Sequence, residues 1–380
     1  MRTKTLSNIK RVLIKIGSAV LTGEDGLDLA IIDQLVDEMA GLSQKGYQVV
    51  LVTSGAIASG RHRMGLRGPV KSMPQKQALA AIGQGRLMRV YSNAFGRHRL
   101  FTAQILLTMS DLTDRKRYLN IRNTLSALME WGIIAIINEN DTVAVDEIKF
   151  GDNDHLAAMV ANIIEAHLVI NLTATEGLYD RNPMLFKKAK LIKLVEEITE
   201  EIEDAATEDT TSIGTGGMRS KVLAAKKVTA YGIPYIIAPG KQKGVLESIL
   251  TGNDTGTLFL PEEKPMHSRK HWIAFTLRPK GKIMIDEGAK KALIEEGKSL
   301  LPSGIIDVEG SFDVGDPVNC IDAKGMSLAT GLVNYGALEI RKIMGLKSSK
   351  IEQVLGYKDY DEVIHRDNLA ITGNKINKKS

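Results

Sequence analysis

The segment Gly214-Thr-Gly-Gly-Met-Arg-Ser-Lys221 combines three glycines, two hydroxyl side chains and a lysine, and a run with helical character, 222–230, follows it. Glycine lets backbone N–H groups approach a phosphate without a Cβ in the way. The positive end of the following helix favours an anion at the same place, and the lysine can reach a transferred phosphoryl group. The segment therefore predicts a phosphate site, although the spacing of a Walker A loop is absent. The alternative is a flexible surface loop.

Two further segments place polar groups at the end of an apolar run. Lys15 ends the first run, and Gly17 and Ser18 after it can present backbone N–H groups to a phosphate. The alternative is a lysine that extends its ammonium to solvent from a strand end. The segment 53–56 (Thr-Ser-Gly-Ala) follows the next run and offers hydroxyl and backbone donors to a phosphate or a substrate carboxylate. A plain cap between a strand and a helix is the alternative there.

Carboxylates and amides are concentrated in two later segments. Asn138-Glu-Asn-Asp141 follows a very apolar run, and Gly151-Asp-Asn-Asp154 opens a helix. Such groups can hold Mg²⁺ and orient lysines during phosphoryl transfer, or they can pair with the ammonium of a substrate. The alternative is simple capping of helix N-termini. The chain has no G-x-S-x-G elbow, and its local patterns indicate no Ser-His-Asp or Cys-His set, so covalent hydrolase chemistry is not supported.

Apolar runs that alternate with helical periodicity predict the elements that must position these segments. The strands are predicted at 11–16, 47–52, 101–107, 133–137, 167–172 and 235–238, and the helices at 28–44, 75–95, 114–130, 154–165 and 219–231. Apolar strands that alternate with helices predict a parallel sheet covered on both faces. Ligands of such sheets bind beyond the carboxyl ends of the strands. The polar segments all fall there, so we expect them to form one site.

Composition limits the class of protein. The chain has 380 residues, 43% of them hydrophobic and 25% charged, which is typical of a globular protein of two or three domains. Its single cysteine, Cys320, excludes an internal disulfide and a zinc site built on several thiolates. No signal-peptide core and no apolar run long enough to span a membrane are present. These features predict a cytoplasmic enzyme with no membrane contact.

The sequence pattern changes after about residue 262. The segment 261–265 (Pro-Glu-Glu-Lys-Pro) reads as a linker, and short segments with frequent turns follow it. They predict a small, mainly β domain with one helix at 287–296. The net charge of the whole chain is only +5, which is too small to indicate nucleic-acid binding by itself.

Motifs spread over roughly residues 10–260 resemble those of glutamate 5-kinases, in order and with similar spacing. They are Val12-Leu-Ile-Lys-Ile-Gly-Ser18, Thr53-Ser-Gly-Ala-Ile-Ala-Ser-Gly60, Lys76-Gln-Ala-Leu-Ala-Ala-Ile-Gly-Gln84, Ala103-Gln-Ile-Leu-Leu-Thr108, Arg117-Tyr-Leu-Asn-Ile-Arg-Asn-Thr124, Asn138-Glu-Asn-Asp141, Gly151-Asp-Asn-Asp154 and Gly214-Thr-Gly-Gly-Met218. The two acidic motifs are specific to this family, whereas the glycine loop is shared more widely among amino acid kinases. The C-terminal part resembles a PUA domain, which many bacterial glutamate 5-kinases carry.

The resemblance implies the fold class and the activity. It implies an α/β protein with an αβα-sandwich amino acid kinase domain at 8–262, whose sheet is mainly parallel, a small, mainly β PUA-like domain at 272–357 and a C-terminal tail at 358–380. It implies ATP-dependent phosphorylation of the γ-carboxylate of L-glutamate, the first step of proline biosynthesis.

The resemblance also implies roles for individual residues. Glutamate would be bound by Ser54, Asp141 and Asn153. Lys15 and Lys221 would stabilise charge on the moving phosphoryl group. The residues implied to bind ATP are Lys15, Gly17, Thr173, Ala174, Thr215, Gly216, Gly217, Met218, Arg219, Ser220 and Lys221.

Two further points concern single positions. Asp154 would orient the two lysines. The family usually has Thr-Asp where this chain has Thr173-Ala174. A nucleotide contact made by that aspartate is therefore missing or supplied elsewhere, and Glu176 is a nearby candidate.

The expected cofactors are ATP and Mg²⁺. No protein ligand is assigned to the metal, which the ATP phosphates would mainly hold. L-glutamate and ATP are the expected substrates, and the chain is expected to form a homo-oligomer, either a dimer or a tetramer. Proline, as a feedback inhibitor, and a glutamyl-phosphate reductase are possible further partners. The alternative functions are those of a sister kinase, such as an acetylglutamate kinase, aspartokinase or uridylate kinase, of an RNA-binding PUA protein and of an inactive scaffold. Nucleic-acid binding is not expected, since the PUA-like part has few aromatic side chains for stacking.

Overall fold

The computed structural model describes residues 2–23, 26–66, 68, 70, 72–144, 153–206, 217–262, 270, 273 and 277–372. The chain divides into two compact units, Met1–Pro265 and Met266–Ser380. Within the described residues, no helix combines the length and the apolar character that crossing a bilayer requires.

The first unit is built on an eight-stranded sheet, and a short hairpin lies beside it. The sheet strands are β1 (Arg11–Ile16), β4 (Gln48–Val52), β5 (Thr102–Leu107), β6 (Ile134–Glu139), β7 (Leu168–Thr173), β8 (Leu194–Val195), β9 (Tyr235–Pro239) and β10 (Thr257–Phe259), and the hairpin is β2 (Thr22–Gly23) with β3 (Gly26–Leu27). The strand order is β5-β6-β4-β1-β7-β9-β10-β8. All neighbours are parallel except β9 and β10. The predicted mainly parallel sheet is confirmed.

Helices cover both faces of this sheet. They are α1 (Arg2–Thr5), α2 (Ser18–Leu21), α3 (Leu29–Gln44), α4 (Ala56–Arg63), α5 (Met73–Gly96), α6 (Met109–Thr113), α7 (Arg115–Glu130), α8 (Asn153–Ile163), α9 (Glu200–Ala205), α10 (Met218–Thr229) and α11 (Val245–Leu250). Each predicted helix of this unit is present with ends shifted by a few residues at most. The sequence analysis did not predict α1, α2, α4, α6, α9 and α11, which are all short.

Two hydrophobic cores lie on opposite faces of the sheet because successive side chains of a strand point to opposite sides. Val12 and Ile14 of β1 belong to one core, which the apolar stripes of α3, α5 and α11 complete. Leu13 belongs to the other, which α7, α8 and α10 complete. The unit is therefore a three-layer αβα sandwich, as predicted.

Helices α4 and α5 approach each other unusually closely at two glycines. A Cβ added to Gly60 would lie 1.9 Å from the carbonyl oxygen of Leu79, and one added to Gly83 would lie 1.8 Å from that of Ala56. Both distances are far below van der Waals contact, and both partners are backbone atoms that cannot rotate away. The two helices therefore form one tightly packed unit, and α4 begins directly after the Ser54-Gly55 segment.

Between residues 277 and 372, the second unit forms a five-stranded sheet with three α-helices. Its strands are β11 (Gly281–Ile285), β12 (Ile305–Gly310), β13 (Pro317–Ile321), β14 (Ser327–Leu332) and β15 (Leu369–Ile371), and its helices are α12 (Glu287–Ile294), α13 (Ala337–Ile343) and α14 (Ile351–Leu355). The order is β12-β11-β13-β14-β15, with only β11 and β13 parallel. The core includes the fully buried Cys320, and burial raises the pKa of its thiol to about 12.

One expectation for this unit is wrong. Residues 277–372 contain three α-helices where one was predicted, because α13 and α14 are too short to give a clear periodic pattern. The predicted domain end at 357 and tail over 358–380 stay predictions, and β15, which lies within 358–380, pairs with β14 from Ala329↔Ile371 to Gly331↔Leu369. A strand of three residues carries too little alternation to be identified from sequence, and only its pairing reveals it.

The close approach of α4 and α5 makes a testable prediction for stability. Gly83→Ala should lower the free energy of unfolding by on the order of 1–3 kcal/mol, because the new methyl group must push two helices apart. Gly85→Ala is the matched control in the same helix, since a methyl group added there would have no atom of another element within 4 Å. It should stabilise the protein by about 0.5–1 kcal/mol. Urea unfolding of both variants measures this, and equal effects would contradict the packing described.

Candidate active site

The carboxylate of Asp154, in the first turn of α8, is fully buried and holds two lysine ammonium groups. Lys15 from β1 forms an ion pair with Oδ1, and Lys221 from α10 forms one with Oδ2 at 3.2 Å. The Ser220 hydroxyl donates to Oδ2 at 3.0 Å. Because an isolated buried charge is costly, these contacts fix all the groups in place. The structure thus brings together the three residues predicted to be catalytic.

The neighbouring strands explain why these side chains meet. β1 lies between β4 and β7, and Lys15 is paired with Val52 on one side and with Asn171 on the other. The carboxyl ends of these parallel strands share one edge of the sheet. Lys15 therefore reaches the start of α8 from the middle of that edge.

Asn171 joins this cluster, although the sequence analysis did not assign it. Its side chain is fully buried, and Nδ2 donates to Asp154 Oδ1 at 2.7 Å and to the Tyr235 hydroxyl at 2.7 Å. The amide therefore helps to hold the carboxylate. A single amide inside the otherwise apolar run of β7 was the signal that could have identified it, since buried polar groups need partners.

A second set of hydrogen bonds surrounds Asn153, next to Asp154 on α8. Its Nδ2 donates to the carbonyl of Thr53, to the hydroxyl of Ser54 at 3.0 Å and to Asn138 Oδ1 at 2.8 Å. Asn138 in turn donates to Gln84 Oε1 at 2.9 Å. The structure therefore brings together Ser54 and Asn153, two of the three predicted glutamate ligands. Asn138 and Gln84 were not assigned roles, although both lie in motifs that the sequence analysis singled out.

Asp141, the third predicted glutamate ligand, follows the end of β6 and is half-buried. In the part of the chain that the structure describes, no hydrogen bond joins it to Ser54 or Asn153. Burial raises the pKa of its carboxyl to about 6, because its ionised form loses hydration. A cation placed beside it would restore the missing stabilisation of that charge.

The residues predicted to bind ATP lie at three chain segments. Gly17 follows β1, and its N–H group donates to the carbonyl of Leu172 at 3.1 Å, so this group is engaged within the sheet. Thr173 ends β7 and is buried, whereas Ala174 is exposed. Glu176, the candidate replacement for the missing aspartate, is exposed and accepts a hydrogen bond from the Tyr179 hydroxyl at 3.2 Å. Its predicted nucleotide contact stays a prediction.

The third segment is the start of α10. Gly217 is the N-cap residue, and its carbonyl accepts from the Ser220 hydroxyl at 2.8 Å and from Lys221 Nζ at 3.4 Å. Met218 is buried and Arg219 is exposed. The predicted residues Thr215 and Gly216, together with Gly214 and the motif residues Gly151 and Asp152, lie outside the described residues.

Comparison with known proteins identifies the family of the chain. The amino acid kinase family matches residues 10–239, and the PUA domain matches residues 281–355. A glutamate 5-kinase of Syntrophus aciditrophicus is 73% identical over 97% of this chain and 96% of its own length. Those of Trichlorobacter lovleyi and Syntrophotalea carbinolica are 53% and 50% identical, each over 98% of this chain and at least 99% of their own length.

This chain belongs to the glutamate 5-kinase family. The family and fold predicted from the sequence motifs are thereby confirmed, as is the C-terminal PUA domain. Within this glutamate 5-kinase scaffold, the buried cluster of Lys15, Asp154 and Lys221 lies at the carboxyl edge of the sheet, as expected for a ligand site of a parallel α/β fold.

The contact between Asn171 and Asp154 makes a testable prediction for this family member. Asn171→Leu should lower kcat about tenfold, because one hydrogen bond that fixes the carboxylate is lost. The KM values for both substrates should change less than about twofold. The control is Asn162→Leu in α8, since Asn162 donates to the Tyr118 hydroxyl and does not contact Asp154. Steady-state kinetics of both variants measures this, and equal kcat losses would contradict a positioning role for Asn171.

Proposed function

We propose that this protein transfers the γ-phosphoryl group of ATP to the γ-carboxylate of L-glutamate, which gives L-glutamyl 5-phosphate, the first intermediate of proline biosynthesis. The observation that carries the proposal is the pair of buried ammonium groups, Lys15 and Lys221, held on the carboxylate of Asp154. Phosphoryl transfer between two anions needs positive charge fixed at the point of reaction. The relatives named glutamate 5-kinase, at up to 73% identity, support the choice of glutamate as acceptor.

The reaction needs little covalent chemistry from the protein. The γ-carboxylate of glutamate is ionised near neutral pH and needs no general base to become a nucleophile. The protein must bring it in line with the γ-phosphate and offset the repulsion between them. Two ammonium groups and one carboxylate leave the cluster with a net positive charge, and Lys15 and Lys221 are placed to stabilise the transferring group. We expect direct transfer without a covalent enzyme intermediate.

Mg²⁺ would enter this site with ATP. Both oxygens of Asp154 are already engaged, Oδ1 by Lys15 and Asn171, and Oδ2 by Lys221 and Ser220. The ATP phosphates are therefore the main ligands for the metal. Mg²⁺ in nucleotide sites is commonly bound through substrate phosphates. When bound, Mg²⁺ neutralises part of the charge on the phosphates.

Glutamate recognition is assigned to the residues on the β4 side of β1. Ser54 and Asn153 offer a hydroxyl and an amide for the α-carboxylate, and Asp141 offers a carboxylate for the α-ammonium group. Burial has raised the pKa of Asp141 to about 6, so a bound ammonium group would stabilise its ionised form. The ATP side is assigned to Gly17, Thr173 and the 215–221 segment.

The remaining properties rest on family resemblance. All residues assigned to chemistry lie in the first unit, Met1–Pro265, so we place catalysis in that unit. We expect a cytoplasmic homo-oligomer, either dimer or tetramer. Proline as a feedback inhibitor and a reductase that captures the labile product are candidates for partners.

The choice of substrate can be tested by trapping the acyl phosphate with hydroxylamine in the presence of ATP and Mg²⁺. Free L-glutamate should give hydroxamate. N-acetylglutamate should not, because its amine no longer carries the charge that Asp141 recognises. Comparable turnover of N-acetylglutamate or of aspartate would show instead that the protein acts as a sister kinase.

Asp141 predicts a pH dependence. Its folded pKa of about 6 lies above the ordinary value of 3.8, so the carboxylate loses its charge as pH falls through 6. We expect kcat/KM for glutamate to fall about tenfold per pH unit below that point, while the KM for ATP changes little. Asp141→Asn should abolish this pH dependence and raise the KM for glutamate at least about tenfold near neutral pH.

Stability provides the control for that variant. Ionised Asp141 costs free energy in the folded state above pH 6, and the amide removes this cost. Asp141→Asn should therefore be at least as stable as the parent protein near neutral pH without glutamate, as thermal unfolding would show. A pH profile identical in the parent and the variant would contradict the assignment of Asp141.

The two lysines should act mainly on the chemical step. Lys15→Ala and Lys221→Ala should each lower kcat on the order of 10²–10³-fold, by analogy with the loss of one preorganised charge stabiliser. Lys226→Ala is the matched control in α10, because that ammonium pairs with Glu203 away from Asp154. Near-normal kcat in either of the first two variants, with folding verified by circular dichroism, would exclude the role given to that lysine.

A further inference from the structure

A pocket of about 310 Å³ lies beside helices α4 and α5, and it has no part in the site described above. It is lined by Arg63, Arg86, Arg89, Val90 and Asn93, and is called here the arginine pocket. The four α5 residues lie at positions 86, 89, 90 and 93, and spacings of three and four residues place them along one side of the helix. Arg63 is the last residue of α4, so three guanidinium groups from two helices border one cavity.

The arginine pocket has no carboxylate to balance its charge. No aspartate or glutamate occurs in the sequence between Glu38 and Asp111. The acidic residues that α3 presents to the end of α5 are used elsewhere: Asp33 pairs with Arg97 at 2.8 Å, and Asp37 contacts His98 at 2.7 Å. Among the residues that the structure describes, the three pocket arginines form no ion pair. Arg63 and Arg89 are exposed and Arg86 is half-buried, so these charges are accessible to an anion from solution.

The pocket is also preformed. The contacts of Gly60 with Leu79 and of Gly83 with Ala56 lock α4 against α5, just before the turns that carry the arginines. Arg86 is half-buried and follows Gly83 by less than one helical turn. A site on two locked helices binds a small ligand without the cost of ordering a loop.

We propose that the arginine pocket binds a phosphate-bearing small anion. Each guanidinium offers a planar pair of N–H donors that matches two oxygens of a phosphate. Three guanidinium groups suit a phosphate or pyrophosphate, which has several oxygens. A single carboxylate has two oxygens and pairs with only one guanidinium group. The volume lies at the lower end for ligand pockets, which suits a small molecule.

The arginine pocket is separate from the ATP site. Helix α4 begins at Ala56, next to Ser54, and Arg63 stands at its other end, about 10 Å along the helix axis. The two lysines that face the transferred phosphoryl group come from β1 and α10, which do not line the pocket. A phosphate-bearing ligand can therefore occupy the arginine pocket while ATP is bound.

Arginine labelling tests the proposal directly on the full chain. Phenylglyoxal modifies accessible arginines, and peptide mass spectrometry gives the rate at each position. Pyrophosphate, at constant ionic strength, should slow labelling of Arg63, Arg86 and Arg89 at least about threefold and leave Arg97 unchanged. The protection should persist in Lys221→Ala, which separates this site from the ATP site. Equal protection of all four arginines, or loss of the protection in Lys221→Ala, would overturn the proposal.

The choice of anion decides the ligand class. Orthophosphate, pyrophosphate and a nucleoside 5′-monophosphate are compared, and the one that protects at the lowest concentration shows whether the phosphate is free or esterified. Citrate at the same ionic strength should protect only weakly, and equal protection by citrate would overturn the phosphate class. If labelling of the pocket rises on dilution of the protein and ignores all anions, a second copy of the chain covers it and the proposal fails.

A variant pair provides an independent measurement. Arg86→Gln combined with Arg89→Gln should weaken pyrophosphate protection of Arg63 at least about tenfold in concentration, because two charged hydrogen-bond donors are lost. Glutamine is a good helix former and stays polar, so the double variant should keep helix α5. Arg97→Gln, on the residue that caps α5, is the matched control and should change the protection less than about twofold. Equal weakening in the control would show a general charge effect and overturn the proposal.

Discussion

The catalytic unit depends on one buried carboxylate that binds two ammonium groups. Asp154 is fully buried, and such a charge is tolerated only because Lys15, Lys221, Ser220 and Asn171 together engage both of its oxygens. The contacts tie β1, β7, α8 and α10 to one point. They also fix two positive charges in a region shielded from water, where a developing negative charge is stabilised more strongly than in solution.

Strand order converts this local cluster into a site for two substrates. β1 occupies the middle of the sheet, with β4 on one side and β7 on the other. The Thr53-Ser54 segment leaves β4, and Thr173 ends β7, so the residues proposed to bind glutamate and those proposed to bind the nucleotide flank Lys15. Asn153 and Asp154 are consecutive residues at the start of α8; Asn153 contacts Ser54, whereas Asp154 contacts the two lysines. The acceptor and donor halves of the site are thus joined through a single helical turn.

The sequence predicted those features that leave a local signature. Apolar strands, long amphipathic helices and polar residues at strand ends indicated the sheet, five helices and one site at the strand ends, and the family resemblance implied the roles of Lys15, Asp154 and Lys221. The role of Asn171 was missed because one amide in an apolar run acquires meaning only when β7 is placed beside β1 and α8. β15 was missed because three residues show no alternation. Helix α4 was missed because its eight residues contain a glycine and a charged end, and close packing against α5 stabilises it.

The division of the site about β1 has an evolutionary consequence. The elements proposed to face the acceptor are the segment after β4, α4 and the segment after β6. They are almost separate from those proposed to face the nucleotide, namely the end of β7 and the start of α10. Selection can therefore alter the acceptor half while the phosphoryl-donating half is inherited nearly intact. Only substitutions at Asn153 and Asp154 would affect both the acceptor half and the nucleotide half of the proposed site. Lineages that diverge in acceptor chemistry should then accumulate substitutions on the β4 side of the central strand, and the helical turn that spans the two halves should be the slowest part to change.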